Sequence, residues 1–174
     1  MLDAQRIEEA EKSVRRYFQD GLLKREIARV EILSILLRNS RDSLEIAEFL
    51  LANKKSNLWI IVTSYYSMFY IANAVLYKKG IRVGEKIAHK VTADALIVYI
   101  RHQLQNSLIE SYEEIQQQAL PGLKADSLLE AFDLERQKRN HVQYEMKEAE
   151  IHSKARTFLQ RSKEFLFELE KLLQ

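Results

Sequence analysis

The stretch that decides the fold is LWIIVTSYYSMFYIANAVLY, residues 58–77, which is apolar on nearly every face of a helix. Lysine pairs lie at 54–55 and 78–79, and Asn57 is the predicted N-cap. Twenty such residues are long enough to cross a bilayer. The stretch also contains polar side chains, at Thr63, Ser64, Ser67 and Asn73. These side chains, and the lysines at both ends, favour a buried central helix over a membrane span.

The segments on either side show the three- and four-residue apolar spacing of amphipathic helices. We predict helices at 3–20, at 22–52 with a polar interval at 39–43 that either continues or divides the helix, at about 85–104, at about 107–118, after Asp126 or Ser127, and from about 147 onward. Residues 80–84 are predicted to be a short loop. The expected fold is all-α, a single-domain up-and-down bundle of five to seven helices around a central apolar helix at 57–79.

Composition excludes several classes of protein. The chain has no cysteine, so it has no disulfide, thiolate metal site or cysteine nucleophile. The N-terminal sequence MLDAQRIEEAEKS lacks the basic start and apolar core of a secretory signal, and we expect a cytoplasmic location without membrane insertion. The net charge is only +2, but residues 54–106 hold eight Lys/Arg against two acids. This middle third either attracts phosphates or is a solvated face balanced by acidic neighbours.

Motifs for metal and phosphate chemistry are missing from the sequence. No histidine has Glu three residues before it, and no His-Glu-x-x-His motif occurs, so we assign no metal and no cofactor. Glu85 with His89, and Glu148 with His152, are interpreted as surface pairs. No G-x-S-x-G elbow is present, and GIRVGEK at 80–86 falls short of a phosphate-binding loop.

After these exclusions, one polar segment remains as a candidate functional site, RQKRNHVQY at 136–144. Arginines are permanently charged forks suited to phosphate, and histidine titrates near neutrality. RNA cleavage needs no metal if a base activates the 2′-hydroxyl, an acid protonates the leaving oxygen and cations hold the developing charge. Residues five apart on a helix differ by about 140° in direction, so Arg136 and His141 need a bend or a second subunit to meet. The alternative is a solvated basic turn with a half-buried histidine.

The sequence resembles the HEPN superfamily, a group of helical nucleotide-binding domains, over roughly residues 40–170. Three features match in order: SYYSMFYIANAVLYKKG at 64–80, AHKV at 88–91 and the segment at 136–144. The resemblance implies a helical bundle, with residues 1–38 as an N-terminal helical extension, and a homodimer in which Arg-x4–6-His residues of two subunits share a cleft. It also implies a metal-independent endoribonuclease, commonly a toxin paired with a nucleotidyltransferase antitoxin.

Two registers satisfy the family motif. Arg136 leads to His141, with Arg139 on the phosphate and Asn140 orienting it, which predicts a nuclease. Arg139 followed by Asn140 leads instead to Tyr144, a poor base at neutral pH, which predicts a non-catalytic nucleotide-binding or interaction module that partners a nucleotidyltransferase. We take His141 as the catalytic residue and Tyr144 as a supporting or substituting group. An unliganded helical scaffold is the third alternative.

The other two matching features contain residues with alternative roles. His89 is either a polar contact near the cleft, carried over from the family, or a core histidine bonded to a backbone carbonyl, and we favour the core position. Aromatic and Met side chains in the middle of the central helix are expected to pack in the core and the dimer face, rather than stack on bases, namely Tyr65, Tyr66, Met68 and Phe69.

Overall fold

The computed structural model describes the backbone of residues 2–121 and 141–174, and the side chains of 2–121 and 149–174. Within these ranges it is an all-α helical bundle of six helices with a small two-stranded sheet. The helices and strands are, in chain order, α1 (Ala4–Gln19), β1 (Leu23–Arg25), α2 (Val30–Ala52), α3 (Asn57–Lys78), β2 (Ile81–Val83), α4 (Ala88–Tyr99), α5 (Asn106–Ala119) and α6 (His141–Lys171). A 3₁₀ turn at Arg101–Gln103 follows α4.

The central position predicted for the apolar stretch is confirmed, because α3 packs against α2, α4, α5 and α6. Its length and hydropathy also meet the criteria for a membrane span, yet 61% of the most apolar 18-residue window is buried inside the protein. The N-cap is Ser56 rather than Asn57, since the Ser56 hydroxyl accepts a hydrogen bond from the Trp59 amide. Asn57 instead contacts α6 through its side chain.

α2 runs antiparallel to both α3 and α6. α2 runs antiparallel to α6, since Arg41 pairs with Glu170 while Glu48 pairs with Lys163. α2 and α3 are joined by a loop of four residues, which makes them antiparallel as well, so α3 and α6 run the same way. The starts of α3 and α6 therefore lie at the same end of the bundle.

The prediction of helix from residue 22 is wrong, because this part of the chain turns and forms a strand. Gly21, with φ +71°, ends α1 in the left-handed conformation, and the Leu22 amide donates to the Tyr17 carbonyl. β1 then pairs antiparallel with β2, with Leu23 opposite Val83. The loop predicted at 80–84 is thus partly a strand. Backbone hydrogen bonds continue the pairing at both ends of the strands, from the Glu26 amide to the Gly80 carbonyl and from the Gly84 amide to the Leu22 carbonyl.

The polar interval at 39–43 does not divide α2. Ser40 is buried and its hydroxyl donates to the Ser67 carbonyl of α3, while the Ser43 hydroxyl donates to the Asn39 carbonyl one turn back. Each buried hydroxyl therefore has a partner, and the helix continues through the interval. The predicted helix at 85–104 is shorter in the structure, beginning at Ala88 after Ile87, whose φ is +46°.

The last helix was predicted from about residue 147, but the described part of α6 already includes His141. Residues 141–144 of the polar segment therefore belong to α6. The helix predicted after Asp126 lies outside the described residues. The proposed division at residue 38 falls inside α2, and α1 contributes Val14 and Tyr17 to the same apolar core as α3.

Candidate functional site

The SYYSMF motif of α3 and the AHKV motif of α4 meet at one hydrogen bond. Tyr65 of α3 is fully buried, and its hydroxyl lies 2.8 Å from Nδ1 of His89 in the first turn of α4. Gln116 of α5 completes the cluster, because its Nε2 donates to the His89 carbonyl at 2.8 Å and to the Tyr65 oxygen at 3.1 Å. Three helices are therefore joined by one side-chain network.

The network limits the proton positions on His89 to two arrangements. The His89 carbonyl can only accept, so the Gln116 atom facing it must be the amide nitrogen, which also donates to the Tyr65 oxygen. If the Tyr65 hydroxyl donates to Nδ1 of His89, the imidazole carries its proton on Nε2. If the Tyr65 hydroxyl donates instead to the Tyr112 oxygen at 3.5 Å, Nδ1 of His89 is the donor to Tyr65. The ring partner is a hydroxyl, not the backbone carbonyl expected from sequence.

Burial keeps this network neutral. Desolvation lowers the pKa of His89 below its ordinary value of 6.5, because the charged imidazolium is disfavoured away from water. Desolvation raises the pKa of Tyr65 to about 12 for the same reason. The His89 ring also packs on Phe69, with ring centroids 4.6 Å apart. His89 is therefore held as a neutral, oriented imidazole between aromatic rings.

The polar segment at 136–144 is only partly described by the structure. Arg136, Arg139 and Asn140 lie outside the described residues, and the side chains of His141 and Tyr144 lie outside them too. Their backbone positions are the first residue of α6 and the fourth. The choice between the Arg136–His141 and Arg139–Tyr144 registers therefore stays a prediction.

The position of the α6 backbone gives the segment a defined neighbourhood. Nδ1 of His152 lies 2.9 Å from Oδ1 of Asn57, which holds α6 beside the start of α3. His141 precedes His152 by eleven residues, or about 16 Å at 1.5 Å per residue. Because α3 and α6 run the same way, the backbone of residues 141–144 lies toward the end of the bundle that carries Lys54 and Lys55 in the α2–α3 loop.

A second buried polar network, absent from the sequence predictions, attaches α1 to the bundle. Asp94 is 2% exposed and lies 2.7 Å from Arg6, and it accepts a hydrogen bond from the Tyr17 hydroxyl at 2.8 Å. Arg6 also contacts Glu113 at 2.7 Å. Burial, together with Asp94, raises the pKa of Tyr17 to about 12. An aspartate inside the apolar run VTADALIVY was the sequence signal that this network existed.

These charges line a cavity of about 390 Å³ between α1, α4 and α5. The buried carboxylate of Asp94 already has two partners, and Arg6 is divided between two acids. We therefore interpret this cavity as a stabilising network rather than as a binding site. Among the described residues, no group of three or more His, Asp or Glu side chains is placed to hold a metal ion.

Comparisons with known proteins give no independent identification. A scan against protein-family models, a search of curated proteins and a search of solved structures each found no match.

Proposed function

We propose that this protein is a HEPN-like, dimeric, metal-independent endoribonuclease. The observation that carries the proposal is the 2.8 Å contact between Tyr65 and His89, because these residues belong to the SYYSMF and AHKV motifs that support the family resemblance. Two motifs 24 residues apart in sequence form one structural unit. The all-α bundle with a buried apolar centre further supports the proposal.

In this proposal the chemistry belongs to the polar segment. His141 moves a proton between the 2′-hydroxyl and the leaving oxygen, and the Arg136 and Arg139 guanidinium groups balance the charge that develops on the phosphate. Asn140 orients the phosphate. A second subunit supplies the facing set, since residues with the spacing of Arg136 and His141 would point about 140° apart on a regular helix. The neighbouring Lys54 and Lys55 add positive charge for a polyanion at that end of the bundle.

The alternative function uses the same fold without cleavage. Arg139 and Tyr144 repeat the four-residue separation of Arg136 and His141, and Tyr144 follows His141 by three residues on the same helix, where the two share a face. Tyr144 can therefore take the place of the histidine. The protein would then bind nucleotide, or partner a nucleotidyltransferase, without acting on RNA.

An RNA cleavage assay in EDTA tests the nuclease. Wild-type protein is expected to cut single-stranded RNA, and His141→Ala to cut about 100-fold more slowly or worse, the usual cost of losing an acid/base group. Tyr144→Phe is expected to retain activity, because it keeps the ring and loses only the hydroxyl. His102→Ala is the matched control, since His102 is exposed on the 3₁₀ turn.

The outcome separates the two functions. Equal cleavage by wild type and His141→Ala, or none by either, removes the nuclease. Loss of nucleotide binding in Tyr144→Phe alone would favour the binding module. Growth arrest on expression, relieved by co-expressing a nucleotidyltransferase encoded beside the gene, would support the toxin–antitoxin pairing.

A further inference from the structure

Aromatic side chains follow one line along the least covered face of α3. Trp59, Tyr66 and Tyr70 are separated by seven and four residues, so they differ by only about 20° to 40° around the helix axis. Trp59 is 46% exposed, and Tyr66 and Tyr70 are half-buried. Tyr65, one residue before Tyr66, and Met68, two residues after it, are fully buried. Of the four central residues expected in the core, Tyr65 and Met68 are therefore enclosed, whereas Tyr66 and Phe69 pack against the core and stay half-buried.

These rings form a continuous surface. The centroid of Tyr66 lies 6.0 Å from that of Tyr70 and 6.2 Å from that of Phe69, and Phe69 in turn lies 4.6 Å from His89. The ring edges are tilted rather than stacked flat, as is usual for aromatic pairs. His89, whose pKa is lowered by burial and whose ring contacts the Tyr65 hydroxyl, extends the aromatic surface from α3 onto α4.

The aromatic line continues into an open cavity of about 270 Å³ between α2 and the β2–α4 connection. Ile32 and Leu36 of α2 form one wall, Tyr70 and Asn73 belong to the floor, and Arg82 stands at the far side. Arg82 is half-exposed and pairs with Glu26 at 2.8 Å. We call the surface formed by Trp59, Tyr66, Phe69, Tyr70 and this cavity the α3 groove.

Exposed lysines at both ends of α3 favour an anionic occupant of the groove, namely Lys54 and Lys55 before the helix and Lys78 and Lys79 at its end. Residues 54–106, all of which the structure describes, contain eight Lys/Arg and two acids, but acids from elsewhere in the chain pair with two of the eight, Arg82 with Glu26 and Arg101 with Glu11. One of the two acids, Asp94, is buried and paired with Arg6 from α1, so it does not offset this positive charge at the surface. Glu85 is the remaining acid and lines the cavity beside Arg82. Burial raises the pKa of Tyr66, so its hydroxyl stays protonated and can donate to phosphate.

We propose that the α3 groove binds single-stranded RNA, with bases stacked on Trp59, Tyr66 and Tyr70 and a phosphate near Arg82. Aromatic platforms bordered by cations bind single strands with little sequence preference, because every base has a stacking face. A duplex fits less well, since its bases are already stacked on each other. The proposal rests on the proposed function for the identity of the polymer, and adds where the substrate strand is held.

Trp59 is the only tryptophan of the chain, and it therefore reports on the groove directly. The experiment titrates full-length His141→Ala protein, which is expected not to cut RNA, with a short oligouridine and follows Trp59 fluorescence together with the anisotropy of a labelled strand. We expect quenching of Trp59 that saturates with the anisotropy. A hairpin duplex of the same length is expected to bind about tenfold more weakly or worse.

Substitutions in the same background locate the site. Tyr70→Leu keeps the apolar bulk and removes the stacking face, and it is expected to weaken binding of the single strand about tenfold. Arg82→Gln is expected to weaken binding and reduce its dependence on salt. Phe49→Leu and Phe167→Leu are the matched controls, because both rings are 62% exposed and lie on α2 and α6 outside the groove. Thermal unfolding of each variant verifies that it folds.

Each outcome bears on one of the two proposals. Tight binding that Tyr70→Leu and Arg82→Gln leave unchanged, or no binding of RNA at all, overturns the groove. Binding with Trp59 quenching by a protein that never cleaves RNA sustains the groove and removes the nuclease. Should sedimentation show a dimer that Tyr70→Leu dissociates, the groove is an interface between copies of this chain and the RNA proposal fails.

Discussion

The Tyr65 hydroxyl lies 2.8 Å from Nδ1 of His89, and this contact fastens the middle of α3 to the first turn of α4. Gln116 joins the same oxygen from α5. Among the described residues, Nδ1 of His89 bonds to Tyr65 alone, whereas the Tyr65 oxygen also contacts Gln116 and Tyr112. An unsatisfied buried donor or acceptor costs more than the bond itself contributes, which makes the pair sensitive to substitution.

Tyr65→Phe is expected to lower the free energy of unfolding by about 1 to 3 kcal/mol, because it leaves Nδ1 of His89 without its partner in a buried position. Tyr66→Phe is the matched control, since Tyr66 is half-exposed and water can replace any bond it loses. Urea unfolding measures both variants. Equal losses in the two would show that the network at Tyr65 contributes nothing specific.

The lowered pKa of His89 predicts how stability depends on pH. In the unfolded chain His89 takes up a proton near its ordinary pKa of 6.5. In the folded protein the pKa is lower, so His89 is still neutral at pH values where the unfolded chain is already protonated. The unfolded state therefore binds more protons in this window, and stability falls as pH drops from about 6.5 toward the folded pKa. Above this window the contribution is constant.

Comparing urea unfolding at pH 7.5 and pH 5.5 measures this contribution. His89→Gln is expected to show a smaller loss of stability on acidification than the wild type, because glutamine does not titrate. His102→Gln, at an exposed position, is the control and is expected to retain the wild-type loss. An identical pH dependence in His89→Gln and wild type would contradict the assigned cause.

Arg6→Met tests the network that attaches α1. It leaves the buried Asp94 with only the Tyr17 hydroxyl, and we expect a loss of about 3 kcal/mol, the lower end for breaking a buried pair, because Arg6 keeps 26% exposure. Arg41→Met breaks the exposed pair with Glu170 and is expected to cost less than about 1 kcal/mol. Similar losses in both would mean that Asp94 does not need Arg6.

Local pattern was sufficient for some helices and not for others. α1, α3 and α5 matched their predicted ranges within a residue or two. Their apolar periodicity, and for α1 the glycine at 21 that ends it, are signals contained in the helix's own segment of sequence. The predictions failed at 22–29 and 80–84, where Leu23 pairs with Val83 across 60 residues. Such short strands have no periodicity of their own, and the partner is found only when the chain has folded.

The candidate site likewise has one part that the sequence predicted and one part that it did not. An arginine and a histidine with four residues between them can be recognised from sequence, and so can an apolar helix containing Tyr-Tyr-x-Met-Phe. The sequence did not indicate that Tyr65 would bond to His89 while its neighbour Tyr66 faced outward. Adjacent residues on a helix point about 100° apart, and which of the two directions is covered depends on where α2, α4 and α5 pack.

The sequence by itself determined an all-α chain built around one apolar helix at 57–79, because a stretch that is apolar on nearly every face, with polar side chains inside it, is buried best by surrounding amphipathic helices. Tertiary structure alone decided which side of that helix stays open. Four neighbouring helices cover most of α3 and leave Trp59, Tyr66 and Tyr70 aligned along the remaining groove. Side-chain types are local, but exposure is set by contacts between residues far apart in the chain.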